Sequence, residues 1–476
     1  MPQLFAEFFA VAFVTFVVGT LMDQWLMAAS LPVFWAIWRF LRLKDGPPVL
    51  AFAFTFHWSQ VVIGLFYYAA TGREPLGMQA PLYGEMVGIG LVCVVTLIAG
   101  VLIGDYLVSR TMKPQVTRET SLGWSTLLVV YVSILVFRTS LRDLAWSNIQ
   151  LAQGILAITY IRFALFYLIL RRLVRSERYV AAAGFAIVEV ALGMTGFFAE
   201  FKEPLFIAAV VLAEQFDYRR VRHWVSFAVL AVAAMCTGVL WMGIRGTVRE
   251  NFDDRAQFTM TEKLNFTSNL AETWWSGDGR DKLKSLDEFV DRMWDVYYPA
   301  LALARVPEVL PHTDGEMMMV ALQHIFTPRI LVPGKADIES DSLQVRKYTG
   351  INVAGPDQGT TISFGYEIQG YIDYGIPGLF VPVLLYAMFM GAAYRFFLRM
   401  IRHRELAVAI VTVIFWMSLY AYNRSWAKML GLSVTLIVYL GGITLLIDRY
   451  LASSMDATDD LAARRAGTPA TETPHY

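Results

Sequence analysis

MVGIGLVCVVTLIAGVLIGDYLV, residues 86–108, is an almost unbroken apolar run. It is long enough to cross a hydrocarbon core of about 30 Å as a single helix. Runs of this kind recur along the chain. Of its 476 residues, 56% are hydrophobic and only 17% are charged, too few to give a soluble fold of this size a polar surface. Continuous apolar runs also exclude an outer-membrane barrel, whose strands alternate. The expected fold is all-α, a polytopic helical membrane bundle.

The spans read as roughly 4–22, 25–41, 49–70, 86–108, 122–137, 154–170, 179–199, 203–216, 224–244, 375–394, 406–422 and 429–447, about twelve in all. Asp23-Gln24 makes a very tight turn between the first two. The eighth is short for a full crossing and begins at Pro204, which suggests a re-entrant or steeply packed helix. Every second connection is basic. These are Arg39/Arg42/Lys44, Arg110/Lys113/Arg118, Arg171/Arg172/Arg175/Arg178, Arg219/Arg220/Arg222 and Arg395/Arg399/Arg402/Arg404. The intervening connections carry fewer cations, so the positive-inside rule places both termini in the cytoplasm.

One connection differs from all the others: the polar stretch from Arg245 to about Gly375. Loops of such length are usually functional or disordered, and the Trp, Tyr and Phe content argues against disorder. The chain therefore divides into an N-terminal bundle (1–244), an external loop (245–374), C-terminal helices (375–448) and a tail (449–476). The tail is rich in Ala, Thr, Asp and Pro and reads as disordered. Within the loop, Leu283, Leu286, Val290, Met293, Trp294 and Tyr297 recur at helical spacing and predict an amphipathic helix ending near Pro299. A second helix is expected over 315–326 and irregular chain over 327–361. Net charge is zero, which gives no global field for nucleic acid. Cys93 and Cys236 both lie in apolar runs, so neither a structural disulfide nor a cysteine metal site is expected.

Three polar clusters are candidates for chemistry. The stretch 327–350 gathers Arg329, Lys335, Arg346 and Lys347 among Asp337, Glu339 and Asp341. Arginine forks match phosphate geometry, and several cations together suit a diphosphate; a solvated loop with surface ion pairs is the alternative. Arg245 and Arg249 stand one helical turn apart at the end of the ninth span, on one face. Interfacial snorkelling explains them equally simply. Glu200, Lys202 and Glu203 lie at the break between spans seven and eight, where they suit a substrate or a base, or form a salt-bridged turn. Arg162 and Glu189 fall within spans and should pair, because an isolated charge there costs about 2.5–3.5 kcal/mol. His57 reads as a hydrogen-bonded core histidine. No HExxH, P-loop or spaced Cys/His set is present.

PRILVPGK, residues 328–335, followed by Tyr348-Thr349-Gly350 and then TTISFGYEIQGYIDYGIPG, residues 360–378, resembles the signature of Wzy-type O-antigen or exopolysaccharide repeat-unit polymerases. The motif resemblance covers about 50 residues; the span pattern fits over the whole chain. Gln369 stands where the family tends to have Glu, with Glu367 two residues earlier. The family's turn before its middle span is matched here only by the cation Lys202.

The resemblance implies a GT-C-like glycosyltransferase of the bacterial inner membrane acting at its periplasmic face, with no metal, nucleotide or other cofactor. Its substrate would be undecaprenyl-diphosphate-linked oligosaccharide drawn from the membrane lipid phase, and a chain-length regulator and a flippase would be its partners. Arg245, Arg249, Arg329, Lys335, Arg346 and Lys202 would hold the diphosphate. Glu367, Asp373 and Glu200 are the carboxylates available to orient or deprotonate an acceptor hydroxyl. A glycan ligase shares the plan and the donor chemistry. A flippase or other transporter would place its polar groups at the midplane on interrupted helices. A polyprenyl-phosphate-sugar transferase would show acidic residues in an early external loop, where this chain has only Asp23.

Overall fold

The computed structural model describes residues 2–43, 45–115, 122–148, 152–194, 201–217, 219–251, 259–327, 332, 334–335, 338–355, 358 and 360–451. Among them every regular element is helical. In chain order the first half holds α1 (Pro2–Met22), α2 (Trp25–Phe40), α3 (Val49–Thr71), α4 (Tyr83–Thr111), α5 (Trp124–Ser147), α6 (Ala152–Thr159), α7 (Ile161–Arg175), α8 (Tyr179–Met194), α9 (Lys202–Glu214) and α10 (Val221–Asn251). The polar stretch contributes α11 (Met260–Ser276), α12 (Gly279–Met293), α13 (Tyr297–Leu303), α14 (Glu316–Phe326) and α15 (Asp341–Thr349). The chain closes with α16 (Tyr366–Gly378), α17 (Phe380–Met400), α18 (Arg404–Leu419) and α19 (Trp426–Thr435), the last running on through a π-helical turn.

Among the described residues six helical segments are long and apolar enough to cross a membrane: Val49–Thr71, Tyr83–Thr111, Ala152–Arg175 (α6 with α7), Val221–Val248, Phe380–Met400 and Trp426–Leu451. Four shorter apolar helices, Ala6–Leu21, Trp25–Phe40, Trp124–Arg138 and Tyr179–Met194, accompany them. The remaining two expected spans are α9 and α18. At 13 and 16 residues they rise about 20 and 24 Å, less than the hydrocarbon thickness. The expected short eighth segment is therefore α9, which starts at Lys202, just before Pro204.

The closest helix pair is α4 with α17. Gly100 and Gly104 form a small-xxx-small stripe on α4, and Ala387 and Gly391 form its counterpart on α17. A Cβ on Gly104 would run into the Met388 carbonyl oxygen, and one on Gly391 into the Val101 backbone. Two apolar helices gain little from burial against each other in lipid, so this backbone approach is what favours their association. At the Arg399 end, the Arg399 guanidinium donates to the carbonyls of Val108, Ser109 and Met112, capping the α4 C-terminus. Arg395 pairs with Asp105 at 2.6 Å, Arg172 with Glu405 at 2.6 Å, and Arg171 with Glu214. Many arginines of the basic connections thus tie helix ends together. Inside the bundle Arg162 and Glu189 do pair, Nε to Oε2 at 3.9 Å, both buried, and the Tyr131 hydroxyl donates to the same carboxylate.

The polar stretch packs into the bundle. The ninth expected span runs on to Asn251, past the boundary at 244. The amphipathic helix is α12, but it stops at Met293, ahead of Pro299. Its acidic face lies on the Thr71 end of α3: Asp287 pairs with Arg73 at 2.8 Å and accepts from the Tyr67 hydroxyl, and Asp291 accepts from Leu76 N at 2.7 Å. Trp294, the residue after the end of α12, then buries its indole between Gly64 and Gly77 and donates to the Val61 carbonyl at 2.8 Å. Neither glycine has room for a Cβ. α15 forms where irregular chain was expected, and α16 begins nine residues before the expected tenth span and breaks at Gly375-Ile376.

Trp294→Ala removes a side chain that is 1% exposed and is expected to destabilise the protein by about 3–5 kcal/mol. Gly64→Ala, which leaves Trp294 intact but blocks its seat, should lower the unfolding temperature in the same direction. Thermal unfolding of the purified variants checks both; an unchanged midpoint would show that the indole does not anchor the segment.

Candidate functional site

Just beyond Trp294 the polar stretch reaches a buried group of ionisable side chains. His57 lies on α3, about 12 Å along the helix from Val49 and about 21 Å from Thr71. Its Nε2 stands 3.1 Å from Glu367 Oε1 and 3.0 Å from the Tyr366 hydroxyl. The Tyr422 ring meets the imidazole edge-on at 5.2 Å. His57 is 2% exposed, and Glu367, Tyr366 and Tyr422 are 0% exposed. With Nε2 carrying the proton toward the carboxylate, Nδ1 is a bare acceptor. His57 Nδ1, Glu367 Oε2 and the Tyr422 hydroxyl have no hydrogen-bond partner among the described residues. Such buried, unpartnered polar atoms are rare in proteins and mark places where something other than packing set the sequence.

Local structure explains how α16 delivers this carboxylate. Gly365 has φ +92°, and a Cβ there would stand 3.0 Å from the Tyr422 carbonyl and 3.1 Å from Glu367 Oε2. Only glycine lets the chain turn into α16 this close to the 420–425 turn. That turn is pinned from two sides: Gln60 Oε1 accepts from Tyr422 N at 2.9 Å, and Gln369 Oε1 accepts from Trp426 N at 2.7 Å. Gln369, in the position where the resembled family tends to have Glu, therefore caps the start of α19 and also donates to Gln344.

Asp295 completes the group. It is partly buried, beside the exposed Asn423, and close enough to Glu367 to feel its charge. Burial pushes its carboxyl up to about 7, reinforced by Glu367 and opposed by Asn423 and Arg292. Burial likewise raises the Glu367 carboxyl, against the pull of His57 and Tyr366. Asp295 is thus placed to take up and release a proton near neutral pH. The folded state keeps the Asp295 proton more tightly than the unfolded chain does. Its stability therefore falls as pH rises from about 4, the ordinary value, to about 7, and levels off above that. Asp295→Asn is expected to abolish this part of the pH dependence of the unfolding temperature; an unchanged profile would contradict the assignment.

The other residues read from the sequence lie elsewhere. Asp373 accepts from Thr313 Oγ1 at 2.6 Å and from the amides of Met317 and Met318 at 3.0 and 2.8 Å, and so caps α14. Arg346 donates from Nε (2.8 Å) and Nη2 to the Val353 carbonyl, closing the turn after α15. Lys335 Nζ donates to the His324 carbonyl. Arg245 is half-buried on α10 beside Ile244, which packs with Val248, Phe201 and Leu205. Lys202, the first residue of α9, lies over the Tyr420 ring at 4.9 Å. Glu200 and Arg329 fall outside the described residues, as does the Arg249 side chain. Most of residues 328–335 and the tail from 452 onward lie outside them too.

Two cavities flank the site. A 590 Å³ apolar groove runs between α14, α17 and α19, lined by Leu322, Tyr374, Val381, Leu385, Phe389 and Trp426. A 160 Å³ polar pocket between α14, α15 and α19 is lined by Glu316, Glu339, Asp341, Lys347, Gln369 and Ser425. Among the described residues no group of three His, Cys, Asp or Glu side chains is placed to hold a metal ion.

Sequence reading passed over Asp295, Arg424 and the two tyrosines. The signal for Asp295 was a lone acid in the aromatic run WDVYYP, residues 294–299. Fold and spans define a polytopic helical membrane protein. Residues 89–395, more than half of the chain, match the family described as "Domain of unknown function (DUF8712)", and the chain belongs to that family. No curated protein and no solved structure matches it.

Proposed function

We propose that the protein is a metal-independent membrane glycosyltransferase of GT-C-like plan that joins undecaprenyl-diphosphate-linked oligosaccharide repeat units at the periplasmic face of the inner membrane. The observation that carries this reading is the Asp295–Glu367–His57 group, where the long polar segment enters the bundle beside an apolar groove. In the reaction, the donor's bond from C1 to the diphosphate oxygen breaks and the lipid diphosphate leaves with the electron pair. The acceptor hydroxyl oxygen bonds to C1, and its proton passes to a carboxylate. Asp295, partly exposed and titrating near 7, suits that proton. Glu367 and His57 stand behind it as the group that holds its charge state. Lys202 and Arg245, which lie at the same end of α9 and α10, suit the leaving diphosphate as its charge develops.

Purified protein mixed with lipid-linked repeat units in EDTA, without nucleotide, is expected to yield multi-repeat glycan on lipid together with free undecaprenyl diphosphate. Repeat units that stay single would refute the proposal. A proton-coupled transporter is the second reading. A buried Glu–His pair partway along α3, the short helix α9 and the break at Gly375-Ile376 together favour it. It predicts uptake or flipping without any new glycosidic bond.

A further inference from the structure

Two cations meet in the bundle over one aromatic ring, with Glu203 beside the first of them. Lys202 Nζ stands 4.9 Å and Arg424 Cζ 4.8 Å from the centre of the Tyr420 ring. Trp416 lies parallel against that ring at 5.0 Å, which leaves its opposite face and hydroxyl edge to the cations. Arg424 donates to the Met417 carbonyl at 2.5 Å and to the Tyr420 hydroxyl at 3.1 Å. Its remaining donors have no partner among the described residues. Neither cation forms an ion pair among the described residues, whereas the nearby Lys428 pairs with Asp341 at 2.6 Å. Glu203, next to Lys202 on α9, is buried, and even counting it the group stays net positive. Two like charges this close, with the positive end of α9 beside them, favour an added anion.

We propose that Lys202 and Arg424 form a phosphate or diphosphate site, with Arg424 as a ligand-binding residue. A guanidinium fork and a point-charge ammonium gathered at one ring suit the several oxygens of a diphosphate. Trp426, two residues after Arg424, lines the apolar groove, so a prenyl or alkyl tail on the same molecule has a surface to follow. This deepens the glycosyltransferase reading by placing the leaving group, and it rests on that reading only for the ligand's source.

The test is binding of geranylgeranyl diphosphate to the purified full-length protein in detergent, with inorganic diphosphate and geranylgeraniol as competitors. Arg424→Gln and Lys202→Gln should each raise the dissociation constant about tenfold or more. Lys202→Arg should restore binding, and Lys428→Gln should leave it unchanged. Competition by geranylgeraniol without inorganic diphosphate, or equal binding by all variants, would overturn the site. Competition by inorganic diphosphate alone would assign it to a free anion; competition by neither alone would assign it to a lipid head group with its tail. Loss of probe binding in a protein that makes no polymer bond would keep the anion site and remove the glycosyltransferase reading. Full probe binding in variants that make no polymer would do the reverse.

Discussion

Glu367→Gln is expected to abolish glycan polymerisation while the protein reaches the membrane in normal amount. The substitution keeps the size and the Oε1 acceptor facing His57, so it removes charge and not shape. Without the carboxylate, His57 keeps a hydrogen-bond acceptor and loses its negatively charged partner, and the charge acting on Asp295 disappears. The Asp295 carboxyl should then titrate lower and become a weaker base. Positioned acid–base groups contribute about 100- to 10,000-fold, so a loss of at least about 100-fold in rate is expected. Initial rates across pH 5.5–8.5 check it: the surviving activity should also shift its pH dependence to lower pH. Normal polymer length in the variant would remove Glu367 from the site. His57→Gln should act in the same direction, whereas Asp373→Asn should mainly loosen α14, because that carboxylate is occupied by three donors from one helix start.

Gly104→Leu is expected to have the largest structural effect. Four side-chain carbons would have to fit where a single Cβ already meets the Met388 carbonyl. The α4 and α17 backbones would separate, and the Asp105–Arg395 pair and the Arg399 cap on α4 would separate with them. Little folded protein should survive extraction into mild detergent. Gly88→Leu on the same helix, where a Cβ meets nothing, is the matched control and should behave as the parent. Size-exclusion profiles of the two separate a packing effect from a general loss of helix propensity. Equal recovery would mean that close backbone contact does not hold this pair.

Much of the fold was legible because a hydrocarbon core demands long apolar helices. The run at 86–108 became the centre of α4, and the tight turn at Asp23-Gln24 separates α1 from α2. The shortness of α9 was legible too, from its proline and its length. What escaped was set by contacts across hundreds of residues. Gln60 and Gln369 end α18 early by holding Tyr422 and Trp426, and nothing near residue 420 announces it. Asp373 resembles a free carboxylate until α14 docks on it. Arg346 resembles a phosphate ligand until the turn after α15 places the Val353 carbonyl against it. His57 was read as a hydrogen-bonded core histidine, and it is one; its partner, 310 residues away, is what gives it a candidate role. The charged stretch 327–350 is legible from composition, whereas Lys202 and Arg424, one from each half of the chain, meet only because the fold brings both to the Tyr420 ring.

The measurement that bears most directly on the proposed polymerase is the lipid-linked glycan profile of a strain lacking this chain, resolved by membrane face with an impermeant glycan-cleaving enzyme. The account predicts single repeat units accumulating on undecaprenyl diphosphate at the outer face, with long polymer restored by the parent chain and not by Glu367→Gln. Unchanged long polymer, or repeat units retained at the inner face, would contradict it.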